Sequence, residues 1–107
     1  MDGIDTPESK EPFYYEAIRA LADMLQTRNF QIKDCHLDST GQRHACKVSA
    51  DGKDVQAELV RMGLAWDWPK YSGGRYVQQE KDAKANERSL WVNDQANRIH
   101  WEKRERF

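Results

Sequence analysis

The stretch Ala50–Ala65, which reads ADGKDVQAELVRMGLA, contains the clearest structural signal in the chain. It begins with the turn-forming pair Asp51-Gly52. Asp54 then occupies the N-cap position, where its side chain can accept a hydrogen bond from a free backbone N–H of the first helical turn. Gly63 is typical of a helix end. The apolar residues in between follow helical spacing: Val55, Leu59, Val60 and Met62. The stretch therefore predicts a turn followed by a short amphipathic helix.

A longer helical pattern lies upstream, from Lys10 to Thr27. Ser9 is its predicted N-cap, and Pro12 is tolerated because it falls in the opening turn. The apolar residues recur at steps of three and four, as on one face of a helix: Tyr14, Ala17, Ile18, Leu21 and Leu25. This pattern predicts the first helix of the chain.

A β-hairpin is predicted between these two helices. Phe30–Lys33 and His44–Val48 alternate between apolar and polar residues, and the turn-forming segment Asp38–Gln42 separates them. In a hairpin centred on that turn, Cys35 lies opposite Cys46, within reach of a disulfide. A disulfide and two buried free thiols are equally compatible with this arrangement.

The C-terminal part predicts a third helix from about Arg75 to Arg88, followed by a polar tail. We expect the tail, Asn93–Phe107, to be extended or frayed, with Trp101 as its anchor. Only two strands are convincing, and a lone two-stranded ribbon is marginal by itself. The fold class is therefore α+β. Either the helices cover the hairpin, or further strands come from another chain or from a missing segment.

Composition excludes several classes of protein. The chain has 107 residues and a mass of 12.5 kDa, which suits one domain. Its 17 Lys and Arg against 18 Asp and Glu leave a net charge of -1, so a generally basic coat for nucleic acid is excluded. No apolar run approaches the roughly 20 residues that span a bilayer, so no membrane partner is expected.

The first candidate for chemistry is the acidic segment Asp5–Glu8, which reads DTPE. Its two carboxylates, separated by a proline of fixed backbone angle, could serve a hard cation and a water molecule. Taken alone, the pattern is more typical of helix capping near a helix start.

The second candidate is Arg43, near the predicted hairpin tip. A guanidinium there could bind a phosphate through two parallel hydrogen bonds. The alternative is an ordinary solvated charge on an exposed turn.

The third candidate is the aromatic segment Trp66–Ser72, which reads WDWPKYS. Rings next to a lysine could stack on nucleotide bases. The alternative is that at least one of the tryptophans seals the core.

Taken together, these motifs resemble the staphylococcal nuclease (thermonuclease) family. The resemblance covers nearly the whole chain and rests on four segments in the order of that family: 2–8, 51–65, 71–91 and the Trp101–Arg104 tail. It implies an OB-fold barrel with three helices. Since the first strands of that barrel would precede Met1, mainly a β-hairpin and three helices are expected, with a partial nuclease domain over 1–92 and a polar tail over 93–107.

The resemblance also implies a calcium-dependent endonuclease acting on single-stranded or denatured DNA and on RNA. Asp5 would be a Ca2+ ligand, and Thr6 would bind the same ion through its backbone carbonyl. Glu8 would be the general base or would orient the attacking water. Arg43 would bind the phosphate, and Tyr71 would lie against a nucleotide base.

Two departures from the family pattern bear on activity. The family's first calcium aspartate and first catalytic arginine would also precede Met1, so we expect little or no cleavage by this chain. Gln42 stands between Gly41 and Arg43, and we assign the phosphate role to Arg43 because glutamine has no charged fork.

Two other functions are compatible with the sequence. One is a non-catalytic module that binds nucleic acid or protein through the ribbon and the aromatic segment. The other is a homodimer in which exposed strand edges of two chains pair.

Overall fold

The computed structural model describes residues 1–27, 29–37, 41 and 44–102. Its elements are β1 (Ile4–Asp5), α1 (Tyr14–Met24), β2 (Phe30–Leu37), β3 (His44–Ala50), β4 (Lys53–Asp54), α2 (Val55–Arg61), β5 (Trp66–Asp67), α3 (Pro69–Ser72), α4 (Val77–Ala85), a 3-10 turn (Ser89–Trp91) and α5 (Gln95–Trp101). The α+β class is thus confirmed. The described part contains five α-helices, so the expected count of three was wrong.

The strands form two small sheets, and the described residues form no closed barrel. In one sheet β1 pairs antiparallel with β5, and in the other β2, β3 and β4 lie in that order. The expected OB-fold barrel is therefore not seen in the described part. The physical reason is that β1, β4 and β5 have two residues each, too short to join the two sheets, while β2 is an edge strand.

The β2–β3 ribbon changes register at one point. Phe30–Lys33 pair with residues 50 to 47, whereas His36 pairs with Ala45, so β2 contains one extra residue. Asp34 takes the left-handed backbone conformation there, with φ of 53°. A bulge of this kind transfers the following side chains to the opposite face of the strand.

The bulge gathers the apolar residues of β2 on one face. Cys35 and Leu37 thereby share the face of Phe30 and Ile32, although their spacing alone would separate them. The structure joins Cys35 to Cys46 in a disulfide, with 4.1 Å between the Cα atoms. All of β2 is exposed, including Ile32 at 60% of its surface. In the described part of the chain this face is therefore only partly covered, and about half of each of its large apolar side chains is open to solvent.

Helix α2 forms the centre of the core. Its Val55, Leu59 and Val60 side chains are almost completely buried. The predicted N-cap is confirmed, because the Asp54 carboxylate accepts a hydrogen bond from the Ala57 N–H at 3.1 Å. The apolar residues that pack with α2 come from β1, α1, β3 and the segment after α2: Ile4, Ala17, Ala50, Leu64 and Tyr76.

Gly63 ends α2, as predicted, for two reasons. Its φ of 74° lies in the left-handed region, which favours glycine. A Cβ at this position would also lie 2.2 Å from the Arg88 carbonyl oxygen, so the close approach of that loop requires glycine.

Two predicted helices are shorter in the structure. Helix α1 begins after Phe13 and not at Lys10, because both residues have positive φ values, 69° and 75°. Helix α4 ends at Ala85 and not at Arg88, because Glu87 has a φ of 50°. Among the described residues, no helix has the length and apolar character needed to cross a bilayer.

The expectation of an extended or frayed tail was wrong for the described part of the tail, because Gln95–Trp101 is helical; residues 103–107 lie outside the described residues. Ala96 and His100, one helical turn apart, are both buried. This face of α5 packs beside Trp66 and Leu90, and Trp101 makes an edge contact with Trp66 at 5.5 Å between ring centroids. Packing against these rings offsets the cost of ordering the tail.

Candidate functional site

Asp5 is held at the end of β1 by its backbone. Ile4 and Asp5 pair with Asp67 and Trp66 of β5. One carboxylate oxygen of Asp5, Oδ1, accepts a hydrogen bond from the Thr6 N–H at 2.9 Å. The pairing and this turn fix the direction in which the carboxylate points.

The second oxygen of Asp5 contacts a residue that sequence reasoning missed. Nε2 of His100 lies 2.6 Å from Asp5 Oδ2, and Nδ1 of the same ring lies 2.6 Å from Glu11 Oε1. The His100 side chain is fully buried and stacks on Trp66, with 4.0 Å between the ring centroids. Asp5, His100 and Glu11 thus form a carboxylate–imidazole–carboxylate triad, here called the His100 triad.

The two contacts of His100 limit where protons can lie in the His100 triad. An ionised carboxylate only accepts hydrogen bonds, and a neutral imidazole donates only one. If Asp5 and Glu11 are both ionised, both contacts are hydrogen bonds only when His100 carries a proton on each ring nitrogen.

Glu8 lies at the surface beside the His100 triad. Its N–H donates to Glu11 Oε1 at 2.7 Å, and its carbonyl accepts from the Glu11 N–H at 2.8 Å. This turn places the exposed Glu8 next to a triad member. The structure therefore brings three of the predicted site residues, Asp5, Thr6 and Glu8, into one segment.

Arg43 lies outside the described residues, but the strands on either side of it do not. The Asp2 N–H donates to the Cys46 carbonyl at 2.8 Å, and His36 Nε2 lies 3.7 Å from Asp2 Oδ1. The described end of the ribbon is thus attached to the residues just before Asp5.

A buried amide strengthens that attachment. Gln56 of α2 is fully buried; its Nε2 donates to the carbonyls of Asp2 and Cys46 at 2.9 and 3.1 Å. Its Oε1 accepts from the Val48 N–H at 2.8 Å. One side chain therefore joins helix α2, the ribbon and the segment that leads to Asp5.

Tyr71 occupies the short helix α3, next to the start of β1. Its ring is 40% exposed and makes an edge contact with Trp68 at 4.8 Å, with Lys70 Nζ 5.6 Å from the ring centroid. The Trp68 N–H donates to the Gly3 carbonyl at 3.0 Å, which links this helix to β1. Trp66, in contrast, is buried in the core, the alternative stated above for one of the tryptophans.

The described residues do not form a complete shell for calcium. Ca2+ takes about six to eight oxygen ligands. Within 1–27, 29–37, 41 and 44–102, no three His, Cys, Asp or Glu side chains group in a way that could hold a metal ion. Asp5 and the Thr6 carbonyl are two ligands at most, and Asp5 Oδ2 already contacts His100. In this arrangement the residues therefore do not fit the ion that the resemblance implies.

Tyr76 is the buried phenol beneath the site. Its hydroxyl donates to Asp54 Oδ2 at 3.4 Å. Burial raises the pKa of Tyr76 above its usual value; the negative charge of Asp54 adds to this and the Arg75 guanidinium opposes it. Tyr76 therefore stays protonated in the folded state and stabilises the N-cap of α2.

Three residues of the site were not predicted from the sequence: His100, Glu11 and Gln56. A signal for His100 was present, because Ala96 and His100 share one face of a helix and Asn93-Asp94 precede them. No sequence pattern indicated a role for Gln56. Its neighbours predict only that a polar residue lies on a short helix.

Comparisons with known proteins agree with this arrangement of motifs. A family model described as "Staphylococcal nuclease homologue" matches residues 1–93. A probable staphylococcal-like nuclease of rice (Oryza sativa subsp. japonica) is 30% identical over 94 residues, 87% of this chain and 25% of that protein. An uncharacterized endonuclease of Haemophilus influenzae is 27% identical over 106 residues, 97% of this chain and 59% of that protein. The chain thus spans only part of the length of these relatives.

Proposed function

Because the chain belongs to the staphylococcal nuclease homologue family, we propose that it hydrolyses phosphodiester bonds of single-stranded DNA and RNA, and does so slowly. The observation that carries this proposal is the family match over residues 1–93, which includes the acidic segment Asp5–Glu8. Relatives described as nucleases and an endonuclease support the same class of reaction.

Glu8 is the proposed general base. Glu8 is an exposed residue, so a water molecule can approach it. A carboxylate within hydrogen-bond distance of a water can accept its proton as the water attacks phosphorus. The turn between Glu8 and Glu11 supports the role because it fixes the backbone of the base.

Arg43 and Tyr71 are the proposed substrate-binding residues. A guanidinium can form two parallel hydrogen bonds with a phosphate and stabilise the charge that grows during attack. The exposed Tyr71 ring offers a face on which a base can stack, and Lys70 beside it offers a positive charge to the backbone.

Calcium enters the proposal only as the cofactor that the family resemblance implies, with Asp5 and Thr6 as its expected ligands, and the arrangement in the structure does not fit the ion. Asp5 Oδ2 is engaged by His100, and the two ligands alone do not complete the shell. We therefore expect slow cleavage, because an interaction that stabilises the developing charge commonly contributes about a hundredfold to the rate, and Asp5 is engaged by His100.

A cleavage assay with excess protein over labelled, denatured DNA tests the proposal. We expect slow cleavage with CaCl2 and none with a chelator. Glu8→Gln should reduce the rate about a hundredfold or more. Glu16→Gln, a matched change at an exposed position on α1, should not. An unchanged rate in Glu8→Gln, or cleavage that persists with chelator, contradicts the proposed roles.

A binding module without hydrolysis is the second candidate function. The contact of His100 with Asp5 favours it, because that contact occupies a proposed calcium ligand while Tyr71 stays exposed. In this case labelled single-stranded DNA binds in the presence of chelator, binding weakens with salt, and Glu8→Gln has no effect. Tyr71→Ala should weaken it about fivefold or more, whereas Tyr15→Ala on α1 should not.

A further inference from the structure

We propose that His100 is a positioning residue for the proposed general base: its ring joins the two ends of the segment Asp5–Glu11 and thereby restrains Glu8, which lies between them. The inference rests on the proposed role of Glu8 and adds a residue to that site. His100 lies on α5, beyond residue 93, where the match to the family model ends. The proposal thus adds a helix outside the matched residues to the site.

The ring contacts both ends of one short segment. His100 Nε2 lies 2.6 Å from Asp5 Oδ2, and Nδ1 lies 2.6 Å from Glu11 Oε1. Glu8 stands midway between Asp5 and Glu11 in the sequence, so the two contacts close a loop around it. Closing a loop in this way reduces the backbone conformations that are open to the residues inside it.

Glu11 connects the ring to the backbone of Glu8. Its Oε1 atom accepts a hydrogen bond from the Glu8 N–H at 2.7 Å and also contacts His100. The Glu11 N–H donates in turn to the Glu8 carbonyl at 2.8 Å. The Glu11 side chain is only 15% exposed, so little water competes for these bonds. A shift of the ring therefore reaches the backbone of Glu8 through a single carboxylate.

The turn from Glu8 to Glu11 needs support from the rest of the molecule. Lys10, within this turn, has a φ of 75°, which is in the left-handed region that is unfavourable for a residue with a Cβ. A backbone conformation of this kind persists only where the surrounding contacts hold it. The contact between Glu11 and His100 joins the turn to a buried residue, and we assign the support to it.

His100 itself is held by the core. Its side chain is fully buried and stacks on Trp66, with 4.0 Å between the ring centroids. The Trp66 Nε1–H donates to Asn97 Oδ1 at 2.5 Å, and Asn97 Nδ2 donates to the Leu90 carbonyl at 3.2 Å. The ring is therefore fixed independently of the two carboxylates and can restrain both of them.

Amide hydrogen exchange, measured by NMR on the purified chain, tests this restraint. In His100→Gln the Glu8 N–H should exchange about tenfold faster, because the carboxylate that accepts from it is no longer held. The Met62 N–H, which donates to the Glu58 carbonyl at the end of α2, should keep its rate. His44→Gln, the same change at an exposed histidine on β3, should alter neither rate.

Two results of this measurement overturn the proposal. One is an unchanged exchange rate at Glu8 in His100→Gln. The other is an equal increase at Glu8 and Met62, because it would indicate general destabilisation of the fold and not a local restraint on the base.

Cleavage kinetics test whether the restraint matters for the proposed reaction. With excess protein over denatured DNA, the maximal rate of His100→Gln should fall about tenfold or more, because a displaced base no longer reaches the attacking water. The protein concentration at half-maximal rate should change by less than about twofold, because Arg43 and Tyr71 are the proposed binding residues. An unchanged maximal rate, with or without weaker binding, contradicts positioning of the base.

A second variant covers the case in which His100→Gln does not fold. Glu11→Gln keeps the size of the side chain but replaces an ionised oxygen with a neutral one, so the Glu8 N–H should exchange about threefold faster and the His100 ring signals should shift. Glu16→Gln, the matched change on α1, should have neither effect. Unchanged exchange at Glu8, or faster exchange with unshifted ring signals, overturns the proposal.

The exchange measurements contain no nucleic acid, so the two proposals fail separately. Absence of DNA cleavage by the unmodified chain removes the proposed function, whereas faster exchange at Glu8 in His100→Gln still shows that the ring holds the turn. Unaltered exchange at Glu8 removes the role of His100 and leaves the nuclease proposal standing.

Discussion

The buried amide of Gln56 joins helix α2 and the ribbon to the segment that leads to the candidate site. Gln56→Leu removes three hydrogen bonds at once, to Asp2, Cys46 and Val48. The Cys46 carbonyl still accepts from the Asp2 N–H at 2.8 Å. The Val48 N–H and the Asp2 carbonyl lose the partner that Gln56 provides.

The cost can be derived from these groups. A polar group that loses its partner on burial costs about 1–3 kcal/mol, and the added apolar contact of leucine offsets about 1 kcal/mol. Because two groups lose their partner, we expect the free energy of unfolding to fall by about 1–5 kcal/mol. Gln78→Leu, an exposed position on α4, should change it by less than about 0.5 kcal/mol.

Urea denaturation followed by tryptophan fluorescence measures the effect. A loss below about 1 kcal/mol in Gln56→Leu would refute the reasoning, because it would mean that water or a shift in the backbone satisfies the released groups. The same loss in Gln78→Leu would show that leucine is costly on a helix of this protein whether or not a buried amide is removed, because leucine and glutamine have similar helix propensities.

Three further predictions concern the ribbon and the buried phenol. Replacing both Cys35 and Cys46 with serine should lower the free energy of unfolding by about 3 kcal/mol, which is the loop-closure value for a separation of 11 residues. Reductant should no longer lower the stability of this double variant. If reductant lowers its stability as much as that of the unmodified chain, the disulfide assignment is contradicted. Because burial raises the pKa of Tyr76 above 10.0, the unfolded chain loses this proton first, so stability is retained below about pH 10 and falls as the pH rises through the folded-state pKa. Urea titrations should show that Tyr76→Phe lacks this alkaline loss; an equally steep fall in the variant would assign it to another group. Homodimer formation through the exposed β2 edge stays a prediction, and sedimentation should show association at high protein concentration. Ile32→Lys should weaken this association, whereas Gln31→Lys, on the opposite face of the strand, should not. A protein that stays monomeric at high concentration excludes the homodimer.

Local signals predicted the middle of the chain well. The cap at Asp54, helix α2 and its end at Gly63 depend on neighbouring residues, and all three are confirmed. The hairpin was also predicted, but its bulge was not, because the left-handed conformation of Asp34 has no strong sequence signature.

Long-range contacts were not predictable from one sequence. His100 lies 95 residues from Asp5 and 89 from Glu11 along the chain, and nothing in the local pattern of the tail indicates either partner. The polar composition of the tail predicts an extended chain. Its helical structure depends instead on packing against Trp66. The candidate site was thus predicted as a set of residue types in one segment, without the histidine that contacts it.

The most direct test of the account is a double-mutant cycle on the cleavage rate of denatured DNA, with calcium and excess protein. The variants are Glu8→Gln, Arg43→Lys and the two combined. If both residues act on the same phosphate, each change slows cleavage and the combination is little slower than the worse single variant. Rates that multiply as for independent sites, or single variants that cleave at the unmodified rate, would contradict a shared site.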